Sequence, residues 1–305
     1  MIESLALQAG TIQCVKQFAG LYTKRGPALA DASASDSVNT LRDQSAEGER
    51  KLSLGFSQAR VGGHSARSMM FLEMQALVRA MPLDSGKQDL VTAIVEENIL
   101  DKPTHGSRVK SMRHLVELFG MDPAVALFRM LWALGHSDIA SLSQLCLVCA
   151  YARDPQLRHS FELVRSLGAG AVLTRPAMEQ KLEDGFPGRF SPVMKKSMAQ
   201  NVNTSWTFGG HLTGRSTKIR VLPVVRPVSA AYAMFVGYLS GLRGEFLLNS
   251  AYGALVASSI PVLRAAIALA SAKGLLSLKQ AGGIVEFDFN NILSATEQGI
   301  LNDSD

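Results

Sequence analysis

The 305-residue sequence contains only three cysteines, Cys14, Cys146 and Cys149. Such a small and odd number of thiols argues against a disulfide framework and fits a reducing cytoplasm. Cys146 and Cys149 have the spacing of a metal-binding CxxC pair, but they lie in an apolar helical run and no second pair accompanies them. We therefore predict two core thiols and no metal site.

The sequence also lacks segments that would direct it into or across a membrane. A secretory signal needs a basic start, a continuous apolar run and a cleavage site, and Met1–Gly20 lacks this pattern. The apolar residues in this stretch, Leu5, Ile12, Val15 and Phe18, predict a short amphipathic helix instead. The longest uncharged runs are Pro227–Leu242 and Phe246–Leu263. The first is short for a membrane span and the second is rich in polar residues, so both predict buried helices. We expect a cytoplasmic protein with no membrane partner.

Common catalytic motifs are absent as well. The sequence has no GxxxxGK[ST] phosphate loop, no GxSxG nucleophile elbow and no HExxH zinc pair, and its six histidines are dispersed. Glu179, Glu183 and Asp184 precede two lysines, but they fall on one predicted helix and its end. A metal-dependent nuclease needs carboxylates on adjacent strands that converge on the ion. We predict a protein without catalytic activity and without a cofactor.

Acidic residues are missing from the whole segment between Gly185 and Gly244. This segment carries eight lysines and arginines and neither aspartate nor glutamate, whereas the complete chain has a net charge of +5. The positive excess of the protein therefore lies in this one segment. Concentrated positive charge without carboxylates is typical of a surface that binds phosphates.

Composition and the spacing of apolar residues divide the chain into four segments, and together these segments predict a mainly α fold. Residues 1–68 predict an N-terminal helix and a flexible extension, since few large apolar side chains follow the helix. Residues 69–168 have apolar side chains at three- and four-residue spacing and predict a helical bundle. Residues 169–226 and 227–305 each predict helices followed by a β-hairpin. We therefore expect tandem winged helix-turn-helix-like units with small hairpin wings.

In the first winged unit, the helix predicted from Ser191 has an apolar and a polar face. On a helical wheel its buried stripe comprises Met194, Met198, Val202 and Trp206. The opposite face offers Lys, Gln, Asn and Thr side chains suited to base edges and phosphates in a major groove, and the following turn is basic enough to grip phosphate. The predicted DNA-binding residues are Arg189, Lys195, Lys196, Gln200, Asn201, Asn203, Thr204, Arg215, Ser216, Thr217, Lys218 and Arg220.

Two other regions are less suited to DNA. The last helix of the second unit, Pro261–Lys273, offers only Arg264, Ser271 and alanines on its polar side, and its hairpin carries Glu286 and Asp288. We predict that this unit is structural or contacts other proteins. A smaller basic set in the bundle comprises Arg108, Lys110 and Arg113, which do not align on one narrow stripe. We expect solvated helix residues there, with a secondary phosphate contact as the alternative.

The stretch from Leu90 to Val109 predicts a helix that ends in Glu97-Asn98-Ile99-Leu100, a turn with Lys102, and a next helix that opens with Ser107-Arg108. This arrangement resembles the BrxA proteins of BREX bacteriophage-exclusion systems. The resemblance continues through the bundle into Ser191–Asn201 and covers about residues 70–290. The resemblance implies a helical and winged-helix protein that binds double-stranded DNA within a defence locus without catalysing a reaction. It also implies that Lys196, Asn201 and the turn at 215–218 face the DNA.

Three functions therefore remain open at the level of sequence. The first is a DNA-binding accessory protein of a phage-defence assembly, which would also contact other proteins of that assembly. The second is a winged-helix transcription regulator whose effector domain is the helical bundle. The third is a scaffold in which the basic segment meets an acidic protein or RNA instead of DNA.

Overall fold

The computed structural model describes residues 47–282 and 284–302, and this part of the chain is mainly helical, as predicted. Residues 47–53 are helical, and short 3-10 helices lie at Gly63–Ser65 and Ile139–Ser141. The helices of the first half are α1 (Phe71–Ala80), α2 (Lys87–Val95), α3 (His105–Phe119), α4 (Ala126–Ser137), α5 (Leu142–Arg153) and α6 (Pro155–Ser166). Those of the second half are α7 (Arg175–Gly185), α8 (Pro192–Phe208), α9 (Pro227–Leu239), α10 (Gly244–Leu248), α11 (Ala251–Val256), α12 (Ile260–Ala272) and α13 (Ala295–Asn302).

Two small antiparallel sheets accompany these helices. β1 (Val172–Leu173), β2 (Leu212–Thr213) and β3 (Lys218–Arg220) form one sheet in the order β1–β3–β2. β4 (Ser277–Ala281) and β5 (Ile284–Asp288) form the other, with Leu278 opposite Phe287. Both segments that predicted hairpins therefore form them. Helix α8 continues to Phe208, and the first hairpin begins at Leu212.

Helix starts follow local capping chemistry. The carboxylate of Asp154 accepts hydrogen bonds from the backbone N–H groups of Gln156 and Leu157 at 2.9 and 3.0 Å, and Pro155 occupies the first turn of α6. Ser191 caps α8 in the same way, and Pro192 follows it. A proline in the first turn costs no hydrogen bond, because the N–H at that position has no partner within the helix.

One hydrophobic core extends through all the predicted segments that the structure describes, from Leu54 to Leu301. Helix α9 lies near its centre, and nearly every residue of this helix is buried. The hydroxyl of Tyr232 on α9 donates to the carbonyl of Leu127 on α4 at 2.9 Å. The proposed boundary between residues 226 and 227 therefore does not separate two cores.

The described part of the N-terminal segment differs from the flexible extension predicted for residues 1–68. Leu54 and Phe56 are buried, and His64 is completely so. The backbone N–H of Leu127 donates to the carbonyl of Leu54, which fixes this stretch to the start of α4. These few apolar side chains suffice because the helices supply the rest of the contact surface. The helix predicted within Met1–Gly20, together with Cys14, lies outside the described residues.

The run Phe246–Leu263, expected to be buried helix, is divided between α10, α11 and the start of α12. Helix α10 ends at Leu248, and the hydroxyl of Ser250 then caps α11 by accepting from the N–H of Gly253 at 3.2 Å. In the described chain no single helix is both long and apolar enough to cross a membrane. One bent pair, Gly244–Val256 with Ile260–Ala272, meets the length and composition test, with 93° between its two halves.

Candidate nucleic-acid interface

Helix α8 is held against the rest of the protein by its apolar side, as the wheel predicted. Met198, Val202 and Trp206 are fully buried. The indole N–H of Trp206 donates to the hydroxyl of Ser160 at 2.9 Å, and its ring stacks on Phe161. Met194 is 45% exposed instead of buried, because the first turn of α8 extends beyond the core.

Two asparagines of the predicted DNA-binding set face other parts of the protein instead of solvent. Asn203 is only 4% exposed, because its position on α8 turns toward the core. The amide of Asn201 donates to the backbone carbonyl of His64 at 3.2 Å. Thr204 is half-buried, and its hydroxyl donates to the carbonyl of Gln200. Gln200 itself is exposed on the outer side of the helix.

Carboxylates from outside the acid-free segment neutralise part of its charge. Nζ of Lys195 lies 2.8 Å from Oε2 of Glu183 on α7. This contact and the backbone N–H of Gly188 hold the pKa of Glu183 below its usual value. In the same way Arg226 pairs with Asp138 at 3.1 Å. The absence of acidic residues along the sequence therefore overstates the free positive charge in space.

The hairpin β2–β3 presents a basic turn beside α8. Arg215, Ser216 and Thr217 are exposed. Gly214 has φ +92°, and a Cβ at this position would lie 2.1 Å from the carbonyl oxygen of Thr217, so the turn requires glycine. Lys218 is half-buried, and its ammonium donates to the hydroxyl of Thr207 at 3.0 Å and to the carbonyl of Gly214 at 2.7 Å. The turn is thereby tied to the C-terminal part of α8.

Arg220 points into the protein and leaves the predicted interface. It is 5% exposed, and Nη1 donates to the backbone carbonyl of His211 at 3.1 Å. The same nitrogen lies 3.3 Å from Nδ1 of His211, whose Nε2 lies 2.8 Å from the carbonyl of Leu255. This arrangement requires Nε2 to donate and Nδ1 to accept, so the imidazole is neutral. Burial first, and then the charge of Arg220, lowers the pKa of His211 to about 4.

A second buried network joins α8 to α6 and to the N-terminal segment. Nε2 of His64 lies 2.7 Å from Oγ of Ser205, and Nδ1 lies 2.9 Å from Oδ2 of Asp154. Burial alone would raise the pKa of Asp154, but His64 and the backbone N–H of Leu157 outweigh it and hold this pKa below its usual value.

The three residues have the order of a hydrolase triad, but their hydrogen bonds differ from it. The hydroxyl of Ser205 donates to the carbonyl of Asn201 and accepts from the N–H of Met69, and its side chain is fully buried. A nucleophilic serine instead donates its proton to histidine and faces substrate. We therefore assign these contacts a structural role.

What remains exposed is a smaller group than the sequence predicted. Within the described chain, the side chains of Arg189, Lys196 and Arg215 have neither a hydrogen bond nor an ion pair. Lys196 and Gln200 lie on the same side of α8 as Thr207, the contact of Lys218. We call this group the basic surface; it comprises Arg189, Lys196, Gln200, Arg215, Ser216, Thr217 and Lys218.

The secondary basic set in α3 is largely engaged within the protein. Nη1 of Arg108 donates to the carbonyl of Glu96 at 3.0 Å. Arg113 lies 3.7 Å from Glu117 on the same helix. Lys110 is exposed. The three side chains therefore do not form a single basic patch.

Ion pairs make the second hairpin region less acidic than Glu286 and Asp288 indicated in the sequence. Arg264 on α12 makes a two-point contact with Glu245, at 2.7 and 2.8 Å, and Lys279 lies opposite Glu286 across the β4–β5 ladder. Two apolar side chains in this region are strongly exposed, Phe246 and Ile284. Among residues 47–282 and 284–302, no three His, Cys, Asp or Glu side chains are placed to hold a metal ion together.

Sequence patterns gave no sign of several residues that shape this region. His64, Ser205 and Asp154 are far apart in the chain, and His64 falls in the segment predicted to be an extension. The one local signal was Gly62-Gly63 before His64, which permits a close approach of the backbone to another element. Comparison of this chain with protein families, with curated proteins and with solved structures finds no match.

Proposed function

We propose that this protein binds double-stranded DNA through the basic surface and acts as a non-catalytic accessory protein of a bacterial phage-defence system of the BREX type. The observation that carries the proposal is the exposed side of α8, where Lys196 and Gln200 lie beside a basic hairpin turn without a carboxylate among them. Arginine and lysine bind phosphates, and glutamine pairs with base edges. The proposed contact needs no reacting group and no cofactor.

The order of elements supports a winged helix-turn-helix for this unit. Helix α6 is followed by β1, α7, α8 and the β2–β3 hairpin, and β1 pairs with β3. In this proposal α8 is the recognition helix in the major groove, and the hairpin is the wing on the phosphate backbone. The second unit, with α9 to α12 and the β4–β5 hairpin, has the same order of helices and hairpin but a balanced charge. We propose that it contacts other proteins of the assembly, for which exposed Phe246 and Ile284 offer apolar surface.

The link to phage defence rests on the resemblance of Leu90–Val109 and Ser191–Asn201 to BrxA proteins, and the genes beside this one test it directly. Titration of the chain with unrelated duplexes tests the binding mode. Equal affinity for the different sequences supports an accessory protein, whereas one strongly preferred site supports a transcription regulator. If no duplex binds at low salt, DNA binding is rejected, and titration with RNA then tests the scaffold alternative.

Salt dependence tests which residues bind DNA. Contacts of Arg189, Lys196, Arg215 and Lys218 with about four phosphates predict a slope of log K against log salt near −3.6. Replacing Arg189, Lys196 and Arg215 together by alanine should make this slope shallower by about 2.7, because three counterion-releasing contacts disappear. Fluorescence anisotropy with a labelled duplex, repeated at several salt concentrations, measures the slope.

A matched control removes the same charge elsewhere. Arg79, Lys273 and Lys279 are exposed and lie outside the basic surface, so their combined replacement by alanine lowers the net charge equally. We expect this control to keep the slope of the natural chain. If both triple variants made the slope shallower by the same amount, general charge, and not the basic surface, would determine binding.

A further inference from the structure

The segment from Gly62 to Met69 is clamped onto α8. Oγ of Ser205 lies 2.7 Å from Nε2 of His64 and accepts the N–H of Met69 at 2.8 Å. The amide of Asn201 donates to the carbonyl of His64 at 3.2 Å. The start and the end of this short segment are therefore both fixed to the same stretch of the helix.

Close packing at Gly62 also fixes the clamped segment, residues 62–69, against α6. The N–H of Gly62 donates to Oε1 of Gln156 at 2.7 Å, and a Cβ at Gly62 would lie 2.1 Å from Oδ2 of Asp154. Any side chain at this position would displace the carboxylate that contacts His64. The segment is thus held by α6 and α8 together, and its backbone is in a defined position relative to the basic surface.

The clamp and the hairpin lie on different sides of the exposed face of α8. At 100° per residue, Asn201 and Thr207 are about 120° apart around the helix, with Gln200 and Thr204 between them. Asn201 contacts the clamped segment, and Thr207 contacts Lys218 of the hairpin. The exposed part of α8 from Gln200 to Thr204 therefore lies between the basic turn and residues 62–69, and Lys196 lies on the side of the turn, about 20° from Thr207.

Arg67 lies in the exposed part of this clamped segment, between the two residues that contact Ser205. Its backbone N–H donates to the carbonyl of Gly63 at 3.0 Å, while in the described chain its side chain has no hydrogen bond and no ion pair. We propose that Arg67 is a further phosphate-binding residue of the interface, on the flank of α8 opposite the hairpin. This inference rests on the proposed DNA binding and extends it to both sides of the helix.

The test measures how the affinity for duplex DNA depends on salt, using the full chain and two labelled duplexes of unrelated sequence. Arg67→Ala should make the slope of log K against log salt shallower by about 0.9, since one phosphate contact is lost. Arg67→Lys should keep the slope, because it retains the charge. The effect of Arg67→Ala should add to that of the Arg189, Lys196 and Arg215 triple variant, because the two groups lie on different flanks.

Two controls separate this contact from other causes. Lys273→Ala removes one exposed charge from the far end of α12 and should leave the slope unchanged. Urea unfolding of Arg67→Ala should have the midpoint of the natural chain, because the side chain is exposed and has no hydrogen bond or ion pair with the described residues. A slope unaltered by Arg67→Ala, with the triple variant still reducing it, overturns the assignment of Arg67 and leaves the proposed function standing. If the natural chain binds neither duplex at low salt, both proposals are overturned.

Discussion

Replacing Glu297 by alanine should lower the free energy of unfolding by about 3–5 kcal/mol, because it leaves a buried guanidinium without its counterion. Oε2 of Glu297 on α13 lies 2.6 Å from Nη2 of Arg129 on α4, and both side chains are less than one-tenth exposed. The same oxygen accepts the backbone N–H of Ser294 at 2.8 Å, so Glu297 also stabilises the start of α13. Loss of the carboxylate removes the attraction while the desolvation cost of Arg129 remains.

Urea unfolding followed by circular dichroism measures this effect, and two variants control for it. Replacing Arg129 and Glu297 together by methionine should recover most of the stability, since an apolar pair carries no desolvation cost. Glu286→Ala removes an exposed carboxylate that lies 3.6 Å from Lys279, and its effect should stay below about 1 kcal/mol. A loss below about 1 kcal/mol for Glu297→Ala would contradict the buried pair as a main contact between α4 and α13.

Helix α8 illustrates which features of this protein can be predicted from sequence. Ser191 and Pro192 mark its start, and Met198, Val202 and Trp206 mark its buried side, because capping and apolar periodicity are properties of neighbouring residues. The end of the helix was less predictable. The helix continues to Phe208, where contacts of Trp206 with α6 hold its last turn, and those contacts come from a distant part of the chain.

Asn203 and Arg220 illustrate why the candidate interface was harder to predict. A helical wheel gives the position of Asn203 relative to the axis of α8, but burial depends on the other elements that pack there. Arg220 has neutral partners, the backbone carbonyl and Nδ1 of His211, which no charge count along the sequence reveals. Asparagine and arginine are both common in DNA-binding sites, yet both of these side chains are buried.

The N-terminal segment was mispredicted for a related reason. Composition alone gave residues 47–68 too few apolar side chains for a stable element of their own. His64 is nevertheless buried by contacts with Asp154 and Ser205, which lie 90 and 141 positions further along the chain. Local patterns contain no information on partners at that distance, so the contact of residues 64 and 69 with α8 was also missed.

His211 should make the stability of the protein depend on pH between 6.5 and about 4. Above pH 6.5 the imidazole is neutral in both the folded and the unfolded chain, so it adds no pH dependence there. As the pH falls below 6.5, the unfolded chain takes up a proton, whereas the folded protein does so only near pH 4. The unfolded state therefore binds more protons in this interval, and the free energy of unfolding falls as the pH is lowered.

The expected loss across this interval is about 3 kcal/mol, since each pKa unit corresponds to about 1.4 kcal/mol. Its physical cause is the burial of His211, since Phe161 and Trp206 pack on the ring, together with the positive charge of Arg220 on the side of Nδ1. A proton on Nδ1 would face the guanidinium in the buried interior, where solvent screens the two charges poorly. Urea unfolding at a series of pH values measures the loss.

His211→Gln is the matched variant, because a glutamine amide can donate to the carbonyl of Leu255 and accept from Arg220 but does not titrate. The variant is less stable than the natural chain at pH 7, because the ring contacts are lost. Between pH 6.5 and 4, however, its free energy of unfolding should fall by about 3 kcal/mol less than that of the natural chain. His105→Gln, an exposed position at the start of α3, should retain the full decline. Parallel pH profiles for His211→Gln and the natural chain would mean that the folded protein protonates the imidazole over the same pH range as the unfolded chain, and the buried contact with Arg220 would not explain the pH dependence.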